Sequence, residues 1–183
     1  MTTTTTTTTM TAMTATTSTA RERACGAIKA LLTRRGVLVE NPTLLRDHRA
    51  SGIFFPLTRE IVWDSGSPSW CKTLTHESVH LLQHLPGGRS LIGEPQEVNP
   101  HLTQEEYSRI REGVQGYYPQ SQWKIEYGAW SLEHEPELVL KLLEQAPPPP
   151  PPAPWQGLPT PAVVGVAIAV SAIATWLMMR GTK

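Results

Sequence analysis

Pro147 to Pro152 is an unbroken run of six prolines, and it limits what this chain can fold into more than any other feature. Six consecutive prolines lack backbone donors and have fixed φ, so they cannot join a helix or a central strand. They favour an extended polyproline II rod rising about 3.1 Å per residue. Residues 147–161 therefore read as a Pro-rich linker that ends the folded part of the chain. Their secondary reading is a PxxP ligand for an SH3-like partner. Beyond the rod lie Ala162 to Met179, 18 residues without a charge. As a helix they would span about 27 Å, close to the bilayer hydrocarbon thickness. The expectation is a C-terminal transmembrane helix over 162–179 and a short basic tail over 180–183. At the other end, threonine dominates residues 1–20, which carry no charge. Such a tract has little to bury and reads as a disordered tail. It also lacks the apolar core of a secretory signal. The chain as a whole is expected to be a single-pass, membrane-anchored protein with a cytoplasmic folded domain.

That leaves residues 21–146, enough for one hydrophobic core. Charge is unevenly spread over them. Residues 21–93 carry 10 basic and 6 acidic side chains, whereas residues 94–144 carry 4 basic and 10 acidic. No basic stripe of the kind that tracks phosphates emerges, so a nucleic-acid partner is not expected. Cys25 and Cys71 are too few for a disulfide scaffold or a Cys-rich zinc site, and Cys71 reads as a small buried apolar residue. Residues 22–34 read as a short helix with Ala24, Ala27, Ile28, Leu31 and Leu32 on one side, stopped by Gly36. Val37–Val39, Ile53–Phe55 and Arg59–Trp63 read as short strands. A helix capped by Ser67 or Ser69 follows and is stopped by Pro86-Gly87-Gly88. Thr103 and Glu106 form a capping box that opens another helix. Residues 121–145 read as a last helix or helix pair broken at Pro136. The expected fold class is α+β: mostly helical, with a small sheet preceding the helix at 69–85, plus the transmembrane helix.

The helix at 69–85 contains His76-Glu77-Ser78-Val79-His80, an H-E-x-x-H pattern. Positions i and i+4 share a helix face, so His76 and His80 can present two imidazoles to one metal ion. Glu77, turned by about 100°, can reach a water on that metal. A zinc ion lowers the pKa of such a water toward 7, and Glu77 would take its proton as general base. With 6 histidines and 14 glutamates in the chain, the pattern arises by chance in roughly one such sequence in seventy. Here it also lies between helix start and stop signals and follows a strand signal.

A catalytic zinc needs a third protein ligand. His84 continues the four-residue repeat, but it stands about 12 Å along the axis from His76, too far to share the ion. Gln83 and Pro86 occupy the positions where the metzincin pattern has Gly and His. A carboxylate from a later helix remains, and Glu126 and Glu133 are both candidates, seven residues apart on one face. Ala129 is small enough to let that helix close on the first.

His76-Glu77-Ser78-Val79-His80-Leu81-Leu82-Gln83, together with Ile125-Glu126-Tyr127-Gly128-Ala129-Trp130, resembles the zincin-like metallopeptidases that take a gluzincin-type third ligand. The likeness is closest to small bacterial HExxHxxQ proteins with a later I-E-x-E-A-x motif, and it covers residues 59–135. It implies a zincin-like domain with His76, His80 and Glu126 as zinc ligands and Glu77 as general base. Gly128 departs from the pattern by standing where a second acidic residue is expected. Tyr107, Tyr117, Tyr118 and Tyr127 are all possible oxyanion donors. The expected activity is zinc-dependent hydrolysis of a peptide or protein substrate, which the strand at 59–63 would align by edge pairing. The alternative is a catalytically inactive or metal-stabilised interaction module.

Overall fold

The computed structural model describes residues 6–48 and 50–149. The order of elements is α1 (Thr6–Arg34), β1 (Leu38–Glu40), α2 (Pro42–His48), β2 (Gly52–Phe55), β3 (Glu60–Trp63), α3 (Trp70–Gln83), α4 (Pro95–Val98), α5 (Gln104–Tyr117), α6 (Trp123–Leu132) and α7 (Pro136–Gln145). The domain is mostly helical, with one three-stranded sheet of order β1-β3-β2. β1 runs parallel to β3, and β2 pairs antiparallel to it with Phe54 opposite Ile61. β3 is thus the central strand. Its Ile61, Val62 and Trp63 are all buried, because helices cover both faces of the sheet. Ile61 and Trp63 join the main core, while Val62 packs on the opposite face with Leu45 of α2 and Ile53. This alternation follows the two-residue period of a strand.

The main core is built on α3. Leu74, Val79, Leu81 and Leu82 meet Ile28 and Leu32 of α1, Ala129 and Leu132 of α6, and Val139 and Leu143 of α7. In α1 the buried face is Ala24, Cys25, Ile28 and Leu32, while the expected Ala27 is exposed. Cys25 forms a disulfide with Cys71 at the first turn of α3, with Cα atoms 5.5 Å apart. Cys71 is therefore a covalent tether between two helices and not a free apolar residue. α5 opens on the expected capping box: Thr103 Oγ1 accepts from the Glu106 N–H at 3.2 Å, and the Thr103 N–H donates to Glu106 Oε2 at 2.9 Å. Pro136 starts α7 and resolves residues 121–145 into a helix pair.

Two expectations about the chain ends change. α1 continues N-terminally to Thr6, into the threonine-rich segment whose composition reads as disordered. Residues 21–34 supply a packed helical nucleus, and extending an existing helix costs far less than starting one. The membrane assignment is corrected as well. Among the described residues no helix is long and apolar enough to cross a membrane. α1 has the length, with 29 residues, but it is rich in threonine and charged toward its C-terminal half. α3 and α5, at 14 residues each, reach only about 21 Å against the roughly 30 Å of a hydrocarbon core. The expected anchor at 162–179 and most of the proline linker lie outside the described residues. A single-pass anchor, and the membrane-tethered cytoplasmic location inferred from it, are not supported.

Candidate metal centre

His76 and His80 stand one turn apart on α3, and α6 lies across that face. The close approach of α6 depends on Gly128. A Cβ there would run into the Leu91 carbonyl and sit 2.7 Å from Gln83 Nε2. The acidic residue expected at this position therefore has no room. Gly128 and the fully buried Ala129 together bring Glu126 onto the two histidines.

The Nε2 atoms of His76 and His80 are 3.1 Å apart. Glu126 Oε2 is 3.6 Å from His76 Nε2, and Glu126 Oε1 is 3.6 Å from His80 Nε2. Three ligands placed about 2.1 Å from one ion in tetrahedral directions stand about 3.4 Å from each other. The two Nε2 atoms stand near that spacing and each has a different Glu126 oxygen at 3.6 Å; with one oxygen taken from Glu126 the three ligand atoms lie within 4.8 Å of one another, and among the described residues His76, His80 and Glu126 form the one group of this kind.

The other ring nitrogens determine which atoms face the centre. His76 Nδ1 lies 3.3 Å from Glu133 Oε2, and a carboxylate can only accept. His80 Nδ1 lies 3.0 Å from Gln83 Oε1. The Gln83 amide cannot be turned over, because its Nε2 donates to the Leu91 carbonyl at 2.9 Å and the Ile125 carbonyl at 2.8 Å. In the neutral rings both protons therefore sit on Nδ1, and both Nε2 lone pairs point inward. With both rings neutral, two lone pairs and a carboxylate then converge. Glu126 Oε2 is buried and has no hydrogen-bond partner. A divalent cation satisfies all three acceptors, so the residues fit the group that the pattern implies.

Glu133 is thus not a ligand but an orienting partner of His76. It is buried and held by Lys72 Nζ at 3.0 Å on the other side, with His134 Nε2 at 3.5 Å. Burial alone would raise the Glu133 pKa. His76 and Lys72 overcome that and hold it below the usual carboxylate range. Glu126 follows the same pattern: burial opposes its ionisation, while His80 and His76 more than restore it. Burial likewise disfavours the His76 cation, but bonds to Glu126 and Glu133 and the charge of Glu77 outweigh it. Without metal the ring titrates at about 10.

Glu77 is buried and faces the same cluster. Burial raises its pKa, in part against the charges of His76 and His80, and the Phe54 N–H of β2 donates to its carboxylate. Tyr118, just past α5, is the tyrosine the structure selects among four: its hydroxyl reaches the Glu126 carboxylate. Burial, reinforced by the charges of Glu126 and Glu77, raises its pKa, so it stays a donor. His84 is exposed, bonds the His80 carbonyl through Nδ1 at 2.9 Å, and stays out of the cluster. His101 takes no part in the site. Gln83 belongs to the HExxHxxQ pattern read from the sequence, but its role in orienting His80 was not read, although its place three positions after His80 on one helix face signals the contact. The chain matches no protein-family model, no curated protein and no solved structure, so its function has to be argued from this site.

Proposed function

We propose that the domain is a zinc-dependent metallopeptidase of the zincin-like kind, with His76, His80 and Glu126 as metal ligands and Glu77 as general base. The observation that carries this reading is the convergence of the His76 and His80 Nε2 atoms, 3.1 Å apart, on the Glu126 carboxylate, each with one of its oxygens at 3.6 Å. Two imidazoles and one carboxylate, leaving a position open, form the donor set of a catalytic zinc site, whereas structural sites are closed by four protein ligands. When bound, zinc would acidify a water and polarise a substrate carbonyl. Glu77 would take up a proton at its carboxylate and return it to the leaving amine. A carboxyl whose pKa is raised by burial suits both transfers. The Tyr118 hydroxyl supplies a donor for charge developing on the carbonyl oxygen. Glu133 and Gln83 hold the two imidazoles in the tautomer that ligates.

An extended peptide would align along β2. β3 was the strand expected to do this, but it is central and both its edges are taken. β2 is the edge strand beside Glu77. The test is metal analysis of the full chain, followed by cleavage of a peptide library by wild type and Glu77→Gln. The expected result is about one zinc per chain in both proteins, with the variant slower by about a hundredfold or more. A full chain that binds no zinc overturns the site. Zinc-loaded wild type and variant that cleave equally poorly overturn catalysis and leave a metal-stabilised module.

A further inference from the structure

We propose that the edge strand β2 positions the general base: Gly52 and the Phe54 N–H together hold the Glu77 side chain toward the two histidines. This deepens the metallopeptidase reading and rests on it. It adds two positioning residues from the sheet to a site whose three ligands and base all come from α3 and α6.

The register of the sheet puts both groups in place. Gly52 lies opposite Trp63, and Phe54 opposite Ile61. The Ile61 N–H donates to the Val37 carbonyl at 2.8 Å, on the β1 side, so Ile61 turns its polar groups away from β2. In an antiparallel pair the residue opposite then turns its own groups outward as well. The Phe54 N–H therefore takes no part in the ladder with β3. It meets the Glu77 carboxylate instead, at the edge of the sheet where a further strand would otherwise pair. Side chains alternate along β2. Ile53 packs with Leu45 and Val62 on one face, and Phe54 joins the main core on the other. Gly52 shares the Phe54 face, so its missing side chain is aimed at α3. A Cβ there would stand 2.5 Å from Thr73 Cγ2, 3.0 Å from Glu77 Cγ and 3.4 Å from Glu77 Oε1. Any side chain at this position would drive β2 off the helix or turn Glu77 aside.

The two contacts act on one side chain. The bare backbone at Gly52 backs the stem of Glu77, and the Phe54 N–H holds its carboxylate. Glu77 is buried, and the Glu126 carboxylate nearby repels it. A fixed donor from the strand keeps in place a charge that would otherwise turn away. Such placement matters, because a shift of about 1 Å at a reacting group can cost about a hundredfold in rate. The same N–H is then not offered to a peptide lying along β2, so changes at Gly52 and at the Phe54 N–H act on kcat and leave KM alone.

The experiment uses the zinc-loaded full chain. One arm reads the contact without catalysis, by amide hydrogen exchange followed by NMR. The Phe54 amide should exchange about tenfold more slowly in wild type than in Glu77→Ala, with the Ile61 amide, paired to β1, exchanging alike in both. The second arm measures peptide cleavage by Gly52→Ala, alone and with Thr73→Ser, and by Phe54→Pro against Phe54→Ala. The serine removes the atom nearest the new Cβ and leaves Glu77 crowded. Both Phe54 variants lose the ring, and only the proline lacks the N–H. The expected result is a kcat lower by about tenfold or more for Gly52→Ala against wild type, and for Phe54→Pro against Phe54→Ala, with KM and zinc content unchanged. Thr73→Ser should restore the melting temperature of Gly52→Ala but not its kcat. A Phe54 amide that exchanges equally fast with and without Glu77 overturns the proposal, whether or not the chain cleaves peptides. So does a KM that rises at constant kcat in Phe54→Pro, which would assign the N–H to the substrate. A kcat that recovers together with stability in the Gly52→Ala, Thr73→Ser protein overturns it too, because Gly52 would then serve packing alone. A Phe54 amide protected by Glu77 in a wild type that cleaves nothing sinks the metallopeptidase reading and leaves the hold of β2 on Glu77 standing.

Discussion

The two histidines of the centre are held by unlike means. His76 is oriented by a charge: its Nδ1 faces Glu133, whose other oxygen is tied to Lys72. Beside this support, Cys71 fastens the first turn of α3 to α1. His80 is oriented by a neutral amide, Gln83, locked by two backbone carbonyls. The first support is electrostatic and open to protons and salt, since Lys72 is 44% exposed. The second is geometric and buried. The two ends of one short helix should therefore fail differently: the His80 end by unfolding, the His76 end by losing metal while the fold survives.

The largest effect tests the tether. The disulfide spans 46 residues, and closing a loop of that length is worth about 4 kcal/mol in the chain-entropy account. Replacing both cysteines by alanine should lower the unfolding free energy by about that amount in urea titrations, while zinc content stays stoichiometric in native buffer. Loss of zinc from the folded double mutant would show that the tether sets the position of His76, which the Glu133 contact is argued to do. Next in size is Gln83→Leu. It leaves the Leu91 and Ile125 carbonyls buried without donors and frees the His80 ring. An expected loss of about 3 kcal/mol comes with weaker zinc binding, read by urea melts and chelator competition. A variant with wild-type stability would show that Gln83 does not lock the geometry. Glu133→Gln should cost less in stability, about 1 kcal/mol, because the amide still offers an acceptor to His76. Its zinc affinity should nonetheless fall by about 10–100-fold, as for other outer partners of metal-bound histidines. If both variants lose stability and affinity in the same proportion, the distinction between the two ends of α3 disappears.

Much of this arrangement is legible in the sequence, for local reasons. The i, i+4 spacing of His76 and His80, the Thr103–Glu106 capping box and the break at Pro136 each depend on a single helix or a single turn. Glu126 and Glu133 were both identifiable by face and spacing. Their division of labour was not, because it depends on how deeply α6 settles on α3. That depth is set by Gly128 against the Leu91 carbonyl, a contact across 37 residues that no spacing rule encodes. The Cys25–Cys71 bond and the choice of Tyr118 are hidden for the same reason: each needs the tertiary path of a second element. The placement of β3 at the centre, with β2 beside Glu77, follows from strand order, and three short strands give few clues to order. α2 carries a single buried residue, Leu45, too little periodicity to stand out.

The smallest effect is on pH, and it separates the two supports most cleanly. Without metal, His76 titrates at about 10 against an ordinary value of 6.5. A raised histidine stabilises the fold fully below 6.5 and loses that contribution as pH climbs through about 10. Glu126 and Glu133 are shifted downward from 4.5, so their contribution holds above that value and fades as pH falls through their lowered values. Urea midpoints of the chelator-treated protein should therefore decline gradually from about pH 6.5 toward 10, while below 6.5 the raised Glu77 and the lowered His134 act in opposite directions. Zinc binding needs the neutral His76 ring, so metal and proton compete. The extra stability conferred by zinc should grow over the same interval in which that of the metal-free protein falls. Glu133→Gln removes one of the charges that hold the proton on His76, so the decline should begin at lower pH in that variant. Gln83→Leu leaves those charges in place, so its decline should keep the wild-type midpoint despite the lower overall stability. A metal-free midpoint that stays flat from 6.5 to 10 in all three proteins would mean that the His76 end is held by packing, as the His80 end is, and that the charge on Glu133 has no separate part in it.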